Sequence, residues 1–296
     1  MDEVSNQPLL QNKIAALDSQ LPTDFAFAVS CNYHGINLDI KTRSLRLVNS
    51  IKNLVPDGWL ESTSSECRIF VLDPLEFGHT PESWSDESSQ DCLTFEENTI
   101  AIQRDFAARI FQDHVLLICE DKVGDGFYNF LRWYLSEKLM LLNKYVVHAS
   151  CVLDKHNNAH LFLGHSGAGK TTITKLSHPR SVLGDDMNLI SIDNNTLQVE
   201  AGALGGQFNS MIGYDTKRTI VACYWLNQAK ANEKKDLGPL SANIKLLASF
   251  ANLHWPTLPE ERINQLIGFA STAASVTKFY QLNFLNTQAI WEFLDP

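Results

Sequence analysis

The chain has 296 residues, 44% hydrophobic and 20% charged, a balance that suits a folded globular protein and excludes a disordered one. Its 24 Lys+Arg against 34 Asp+Glu give a formal charge of −10 with no basic block, so a nucleic-acid partner has no electrostatic footprint. Cys31, Cys67, Cys92, Cys119, Cys151 and Cys223 stand apart without a C-x-x-C pair, which argues against a zinc site or a disulfide framework and for buried thiols in a reducing compartment.

Residues 1–8 are polar and acidic, unlike a signal peptide, and no apolar run approaches the ~20 residues that span a bilayer. A cytoplasmic protein without a membrane partner is expected. Residues 1–22 read as a loose or helical leader, with Leu9, Leu10, Ile14 and Leu17 near helical spacing. Strand alternation covers 25–29 and 36–40, joined across 32–35, and further strands are expected at 68–72, 99–102 and 114–118. The polar stretch 78–91 reads as solvated surface rather than as a mobile lid. Over 126–142, Phe127, Phe130, Leu131, Tyr134, Leu135 and Leu142 recur at helical intervals, and their aromatic stripe reads as core packing. Composition changes near residue 145, which sets an expected boundary between domains 1–145 and 146–296.

Strands are then expected at 145–147 and 159–163, the second leading directly into Gly164-His165-Ser166-Gly167-Ala168-Gly169-Lys170-Thr171 and a helix from Thr172. This is a complete G-x-x-x-x-G-K-[ST] phosphate loop in its strand–loop–helix setting. Glycines let successive N–H groups converge on one point, and the helix start adds positive potential. Lys170 is suited to the β- and γ-phosphates, the Thr171 hydroxyl to Mg²⁺, and the loop as a whole, Gly164 to Thr172, to a nucleoside triphosphate. ATP is the expected donor, although such a loop reads phosphates and leaves GTP and pyrophosphate open.

Short strands follow at 181–183, 189–192 and 197–199. Thr219 to Leu226 is nearly all apolar, as a buried central strand would be. Helices over 241–253 and 259–272, a strand over 276–282 and a closing helix over 287–294 complete the chain, without an internal repeat.

Asp185 and Asp186 follow Lys170 at the end of a short strand. One carboxylate beside a phosphate loop can serve Mg²⁺, and a second can accept the proton of an attacking hydroxyl. His148, at the end of the strand over 145–147, reaches the same place if that strand pairs with the one feeding the loop. It would orient an aspartate there, or it is an ordinary structural histidine.

Val147-His148-Ala149-Ser150, the phosphate loop and Leu183-Gly184-Asp185-Asp186 come in the order seen in the catalytic domain of HPr kinase/phosphorylase, which this part of the chain resembles. The likeness covers about residues 145–225, with a weaker echo over 276–294. It implies an α/β fold, a P-loop kinase domain of the HPr kinase/phosphoenolpyruvate carboxykinase type, here preceded by an α+β N-terminal domain. It also implies Mg²⁺-dependent transfer from ATP to a hydroxyl acceptor: serine in a peptide or protein, or a small hydroxylated metabolite. By matched position Lys170 and Thr171 bind phosphate and metal, Asp185 is the base, Asp186 stands on the metal side, and His148 supports the base. The downstream Glu-Ile-Arg-Gly-type segment of the family is replaced by Val199-Glu200-Ala201-Gly202, without the arginine. Glu200 then reads as surface in preference to a substitute metal ligand, Gly202 to Gly206 as a turn or an acceptor-side loop, and Lys217 and Arg218 either as the cation that stabilises the transferring group or as a solvated basic pair at a strand start. Residues 1–145 show no likeness to the family's regulatory domain and are left for substrate recognition. A non-catalytic ATP sensor and an NTPase driving conformational change remain the alternatives, and homo-oligomer formation stays open.

Overall fold

The computed structural model describes residues 24–55, 57–60, 67–77, 94–96, 100–103, 105–204, 216–251, 253, 255 and 258–294. The expected leader over 1–22, the polar loop over 78–91, and Gly205 and Gly206 lie outside the described residues. Contacts divide the chain into two units, Met1–Tyr134 and Leu135–Pro296. The division falls inside the helix α2 (Asp125–Leu141) rather than near residue 145.

The first unit is built on one mixed sheet. In β1 (Phe27–Tyr33) and β2 (Ile36–Thr42) buried side chains alternate with more exposed ones. Their register runs from Phe27↔Thr42 to Tyr33↔Ile36 and leaves His34 and Gly35 as the turn. These two residues take φ of 53° and 101°, the left-handed pair that matches the twist of a tight hairpin. Ser44 then starts α1 (Leu45–Leu54), its Oγ accepting the Leu47 amide at 3.2 Å. The helix returns the chain to β3 (Cys67–Leu72), which runs parallel to β2 and to β7 (His114–Ile118). Both inner strands are almost entirely buried, as parallel strands tend to be. β4 (Thr94–Glu96), β5 (Ile100–Gln103) and β6 (Phe106–Ile110) extend the sheet antiparallel beyond β7.

The second unit opens with β8 (Tyr145–Leu153) and β9 (Ala159–Leu163), followed by the short helix α3 (Lys170–Lys175). β10 (Val182–Gly184), β11 (Met187–Asp193), β12 (Thr196–Ala201), β13 (Arg218–Gln228), β14 (Glu233–Asp236) and β15 (Lys278–Phe284) complete an eight-stranded mixed sheet. Two strands change neighbours along their length. β8 pairs with β11 over Tyr145 to His148 and with β9 from Ala149 onward. β13 pairs with β12 at Arg218 and Thr219, then with β9 from Ile220. The sequence of pairings β8, β11, β12, β13, β9 thus returns to β8 and closes a ring.

Alternation along these strands separates two cores. Leu161, Leu163 and Cys223 face one way, with Ala242 and Leu246 of α4 (Pro239–Leu247) and Leu266, Ala270 and Ala273 of α5 (Glu260–Val276). Phe162, Tyr224 and Leu226 face the other, with Ile173 of α3 and Ile290, Trp291 and Leu294 of α6 (Ala289–Leu294). The helix expected over 241–253 stops at Leu247, because Phe250 forms an antiparallel bridge with Val147. The Ala251 amide donates to Val146 O at 3.0 Å. The strand expected from residue 276 starts at Lys278, since α5 keeps its buried Ala270 and Ala273 at helical spacing through Val276.

Candidate active site

The loop Gly164 to Gly169 joins the end of β9 to the start of α3. Gly169 adopts φ of 109° at the helix N-cap, and Gly167 has φ of 77° at the exposed turn. His165, Ser166 and Gly167 are exposed, Ala168 is buried beneath them, and Thr171 and Thr172 are half-buried in the first helical turn. The Ala168 amide donates to His165 O at 3.1 Å. From the end of β13, Gln228 Nε2 donates to Gly167 O at 3.1 Å and so grips the turn from outside.

Lys170 folds back over this loop. Its ammonium donates to Gly164 O at 2.8 Å and to His165 O at 3.2 Å. Burial pulls the Lys170 pKa below the usual lysine value, and the Asp186 charge opposes that shift. The helix start is tied to β8 as well, because the buried Ser150 hydroxyl donates to Lys170 O at 3.2 Å.

His148 and the two aspartates arrive through strand register. β8 runs antiparallel to β9 with Ala149 opposite Leu163, so His148 stands beside the residue where the loop begins. β11 pairs Met187 with His148, and the Ala149 amide donates to Asp186 O at 2.8 Å. His148 Nε2 consequently lies 3.1 Å from Asp186 Oδ1. His148 thus stands beside Asp186, the aspartate expected on the metal side, rather than being shown against Asp185, the aspartate expected as the base. Asp185 is buried and Asp186 half-buried, so the neighbouring carboxylates occupy different surroundings.

Two other expectations change. Glu200 is buried and lies 2.9 Å from Lys144 Nζ through Oε1, so it is not a surface residue. Lys217 and Arg218 lie at the start of β13, beside the beginning of β9 rather than its end. At ~3.3 Å per residue the intervening strand separates Arg218 from the level of the loop by roughly 20 Å of chain. A different cation stands nearer that level: Lys245 Nζ lies 4.1 Å from the ring centroid of Trp225, which is in register with Leu163. Burial lowers the Lys245 pKa as well. Asn188, Gln228 and Lys245 carry no local motif, and only tertiary pairing and packing bring them to this region.

Among the described residues no three His, Cys, Asp or Glu side chains form a metal-binding group. Nucleotide-bound Mg²⁺ does not require one, because phosphate oxygens and water complete its shell around one or two protein oxygens. A hydroxyl and a carboxylate oxygen are ligands that such an ion takes. No helix among the described residues is long and apolar enough to cross a membrane.

No protein-family model matches the sequence, and no curated protein matches it. Among solved structures, the chain is similar to the Hpr(Ser) kinase/phosphatase from Coxiella burnetii at 11% identity and a TM-score of 0.24. That match covers 31% of this chain and 76% of the other, a distant and partial likeness.

Proposed function

We propose that this chain is a Mg²⁺-dependent phosphotransferase that moves the γ-phosphoryl group of ATP to a hydroxyl, within a P-loop kinase domain of the HPr kinase/phosphoenolpyruvate carboxykinase type. The acceptor is serine in a peptide or protein, or a small hydroxylated metabolite. What supports the reading is the His148–Asp186 pair, at 3.1 Å, beside the loop whose carbonyls hold the Lys170 ammonium. ATP competes for that ammonium by offering phosphate oxygens in place of Gly164 O and His165 O, while the amides of residues 164–172 receive the remaining phosphate charge.

Asp186, oriented by His148, accepts the proton as the acceptor oxygen attacks the γ-phosphorus and the bond to the bridging oxygen of ADP breaks. This exchanges the roles first expected for the two aspartates and leaves Asp185 with Thr171 on the metal side. Mg²⁺ bound with the nucleotide supplies charge neutralisation on the β- and γ-phosphates. Most of the rate comes from positioning and fixed charge, since this reaction asks little covalent help of the protein. The first unit, preceding the phosphate-loop region, is assigned to acceptor recognition.

The test is ³¹P NMR of Mg·ATP with pooled peptides and hydroxylated metabolites, run for wild type, Lys170→Ala, Asp185→Asn and Asp186→Asn. A new phosphomonoester signal is expected with wild type and not with Lys170→Ala, while Asp186→Asn lowers the rate at which it appears by about 10²–10⁴-fold with nucleotide still bound. Lys170→Ala loses nucleotide binding, and Asp185→Asn raises the Mg²⁺ requirement. Inorganic phosphate as sole product would replace this reading by an NTPase. ATP that binds and is never consumed would replace it by a nucleotide sensor.

A further inference from the structure

Asn188 is fully buried in β11, two residues beyond Asp186, and nothing in the phosphoryl-transfer scheme uses it. Its Nδ2 donates to Ala149 O at 2.8 Å and to Gly184 O at 3.3 Å. Ala149 directly follows His148, and Gly184 directly precedes Asp185. One amide therefore joins the two backbone segments that carry the catalytic side chains. Its orientation is fixed by chemistry, because two carbonyl acceptors admit the NH₂ end and repel the oxygen. Asn188 Oδ1 has no hydrogen-bond partner among the described residues, so the amide is held from one end only.

Gly184 is shaped to this amide. A Cβ at residue 184 would lie 2.6 Å from Asn188 Oδ1, 3.2 Å from Cγ and 3.3 Å from Nδ2. The absence of a side chain at Gly184 thus leaves the space that the amide fills. The register between β10 and β8 also shifts between Val182 and Gly184, so regular ladder bonds do not by themselves fix how the turn of Asp185 and Asp186 leaves the sheet.

We propose that Asn188, seated against Gly184, is a positioning residue that sets the Asp185–Asp186 turn against His148. This role rests on the reading of His148 and Asp186 as one catalytic unit. Without the amide, the Gly184 and Ala149 carbonyls separate and the His148–Asp186 contact lengthens, while the phosphate loop stays as it is. Displacements of about 1 Å at such a site cost on the order of 10²-fold in rate.

The experiment compares wild type, Asn188→Ala, Gly184→Ala and the double variant Gly184→Ala/Asn188→Ala. Melting temperature, ATP affinity by calorimetry, turnover of Mg·ATP with the acceptor pools, and the ¹⁵N signal of His148 Nε2 are recorded for each. Both single variants are expected to lose turnover by about 10–100-fold with ATP affinity within about twofold of wild type, and to lose the hydrogen-bonded His148 signal. The double variant removes the three atoms that a residue-184 Cβ would strike, so its stability recovers toward wild type. Its turnover and His148 signal do not recover. If the double variant regains turnover and the His148 signal with its stability, Asn188 only fills space and the proposal is wrong. Should wild type itself consume no ATP, the function reading fails while the His148 signal still decides the role of Asn188.

Discussion

Replacing Gly169 by alanine tests how tightly the phosphate loop is fitted to the sheet below it. Gly169 has φ of 109°, where an L-residue carries a steric penalty of about 1–2 kcal/mol. The new Cβ would also lie 2.5 Å from Phe284 Cζ and 3.0 Å from Cε1. Phe284 is 1% exposed at the end of β15, packed in the core shared by α3 and α6, so its ring has no free space to enter. Forcing a methyl group against such a ring costs roughly 1–3 kcal/mol. The total of about 2–5 kcal/mol lowers the melting temperature by on the order of 5–15 °C in a unit of this size. Phe284→Leu removes both offending atoms and by itself costs about 1–2 kcal/mol of packing. In Gly169→Ala/Phe284→Leu the clash is gone and only the backbone penalty remains. The pair should thus be less destabilised than the sum of the singles by about 1–3 kcal/mol. Urea unfolding of the four proteins, followed by circular dichroism and tryptophan fluorescence, measures that coupling. A Gly169→Ala protein as stable as wild type, or a cycle that is strictly additive, would refute the placement of Phe284 under the loop.

Two further predictions concern the second unit away from the loop. Asp154 accepts the His156 and Asn158 amides, both at 2.8 Å, and the Asn158 side chain at 3.0 Å. Burial works to raise its pKa, but these bonds and the nearby His160 prevail and hold it below the usual 3.8. A carboxylate lowered in the folded state adds stability above its unfolded pKa and loses it as pH falls through the folded one. Asp154→Asn should therefore cost about 1–2 kcal/mol at pH 7, with the deficit shrinking below pH 3.8, read from urea midpoints across that range. An equal deficit at pH 7 and pH 3 would contradict this account. Lys144→Met removes the cation 2.9 Å from the Glu200 carboxylate, which is 6% exposed, and should destabilise the protein measurably. Lys144→Met/Glu200→Gln should recover most of that loss in the same unfolding assay, and no recovery would mean that the pair matters through packing alone.

The strand, glycine-rich loop and helix over 159–175 were legible in the sequence because all of their parts are local: an apolar strand, glycines at fixed offsets, Lys170 and a helix start. The strand and helix order was legible for the same reason, to within a few residues at element ends. What sequence could not supply was register. Glu200 looked like surface because it stood as a lone glutamate just past the strand expected over 197–199, yet β12 runs on to Ala201 and its end is buried at Val199, Glu200 and Ala201 alike. Lys217 and Arg218 looked close to the phosphates only while the direction of β13 relative to β9 was unknown. The pairing of His148 with Asp186 rather than Asp185 depends on which of two adjacent side chains faces β8, a matter of one residue in a strand of period two. Asn188 was invisible as a positioning residue because its partners are backbone carbonyls on other strands, which leave no pattern of residue types.

The change of neighbour in β8 explains why the site sits where it does. His148 is the last residue paired with β11 and Ala149 the first paired with β9, so the histidine stands at the seam of two ladders. A strand leaving one partner for another usually strands its amides, and a buried amide without an acceptor is costly. Here the His148 amide donates to Ser249 O at 2.8 Å and the Ala149 amide to Asp186 O at 2.8 Å. The chain after α4 and the aspartate turn are thus recruited to the seam by backbone need before any side chain is considered. Side-chain alternation then decides the chemistry: Val147 and Ala149 enter the core under α4 and α5, while Ser150 reaches the start of α3. His148 shares the parity of Ser150 and so faces the phosphate loop. One of these two seam bonds, from the Ala149 amide to Asp186 O, also brings the Asp186 backbone beside His148, so the contact between their side chains follows from a bond that the strand needs anyway.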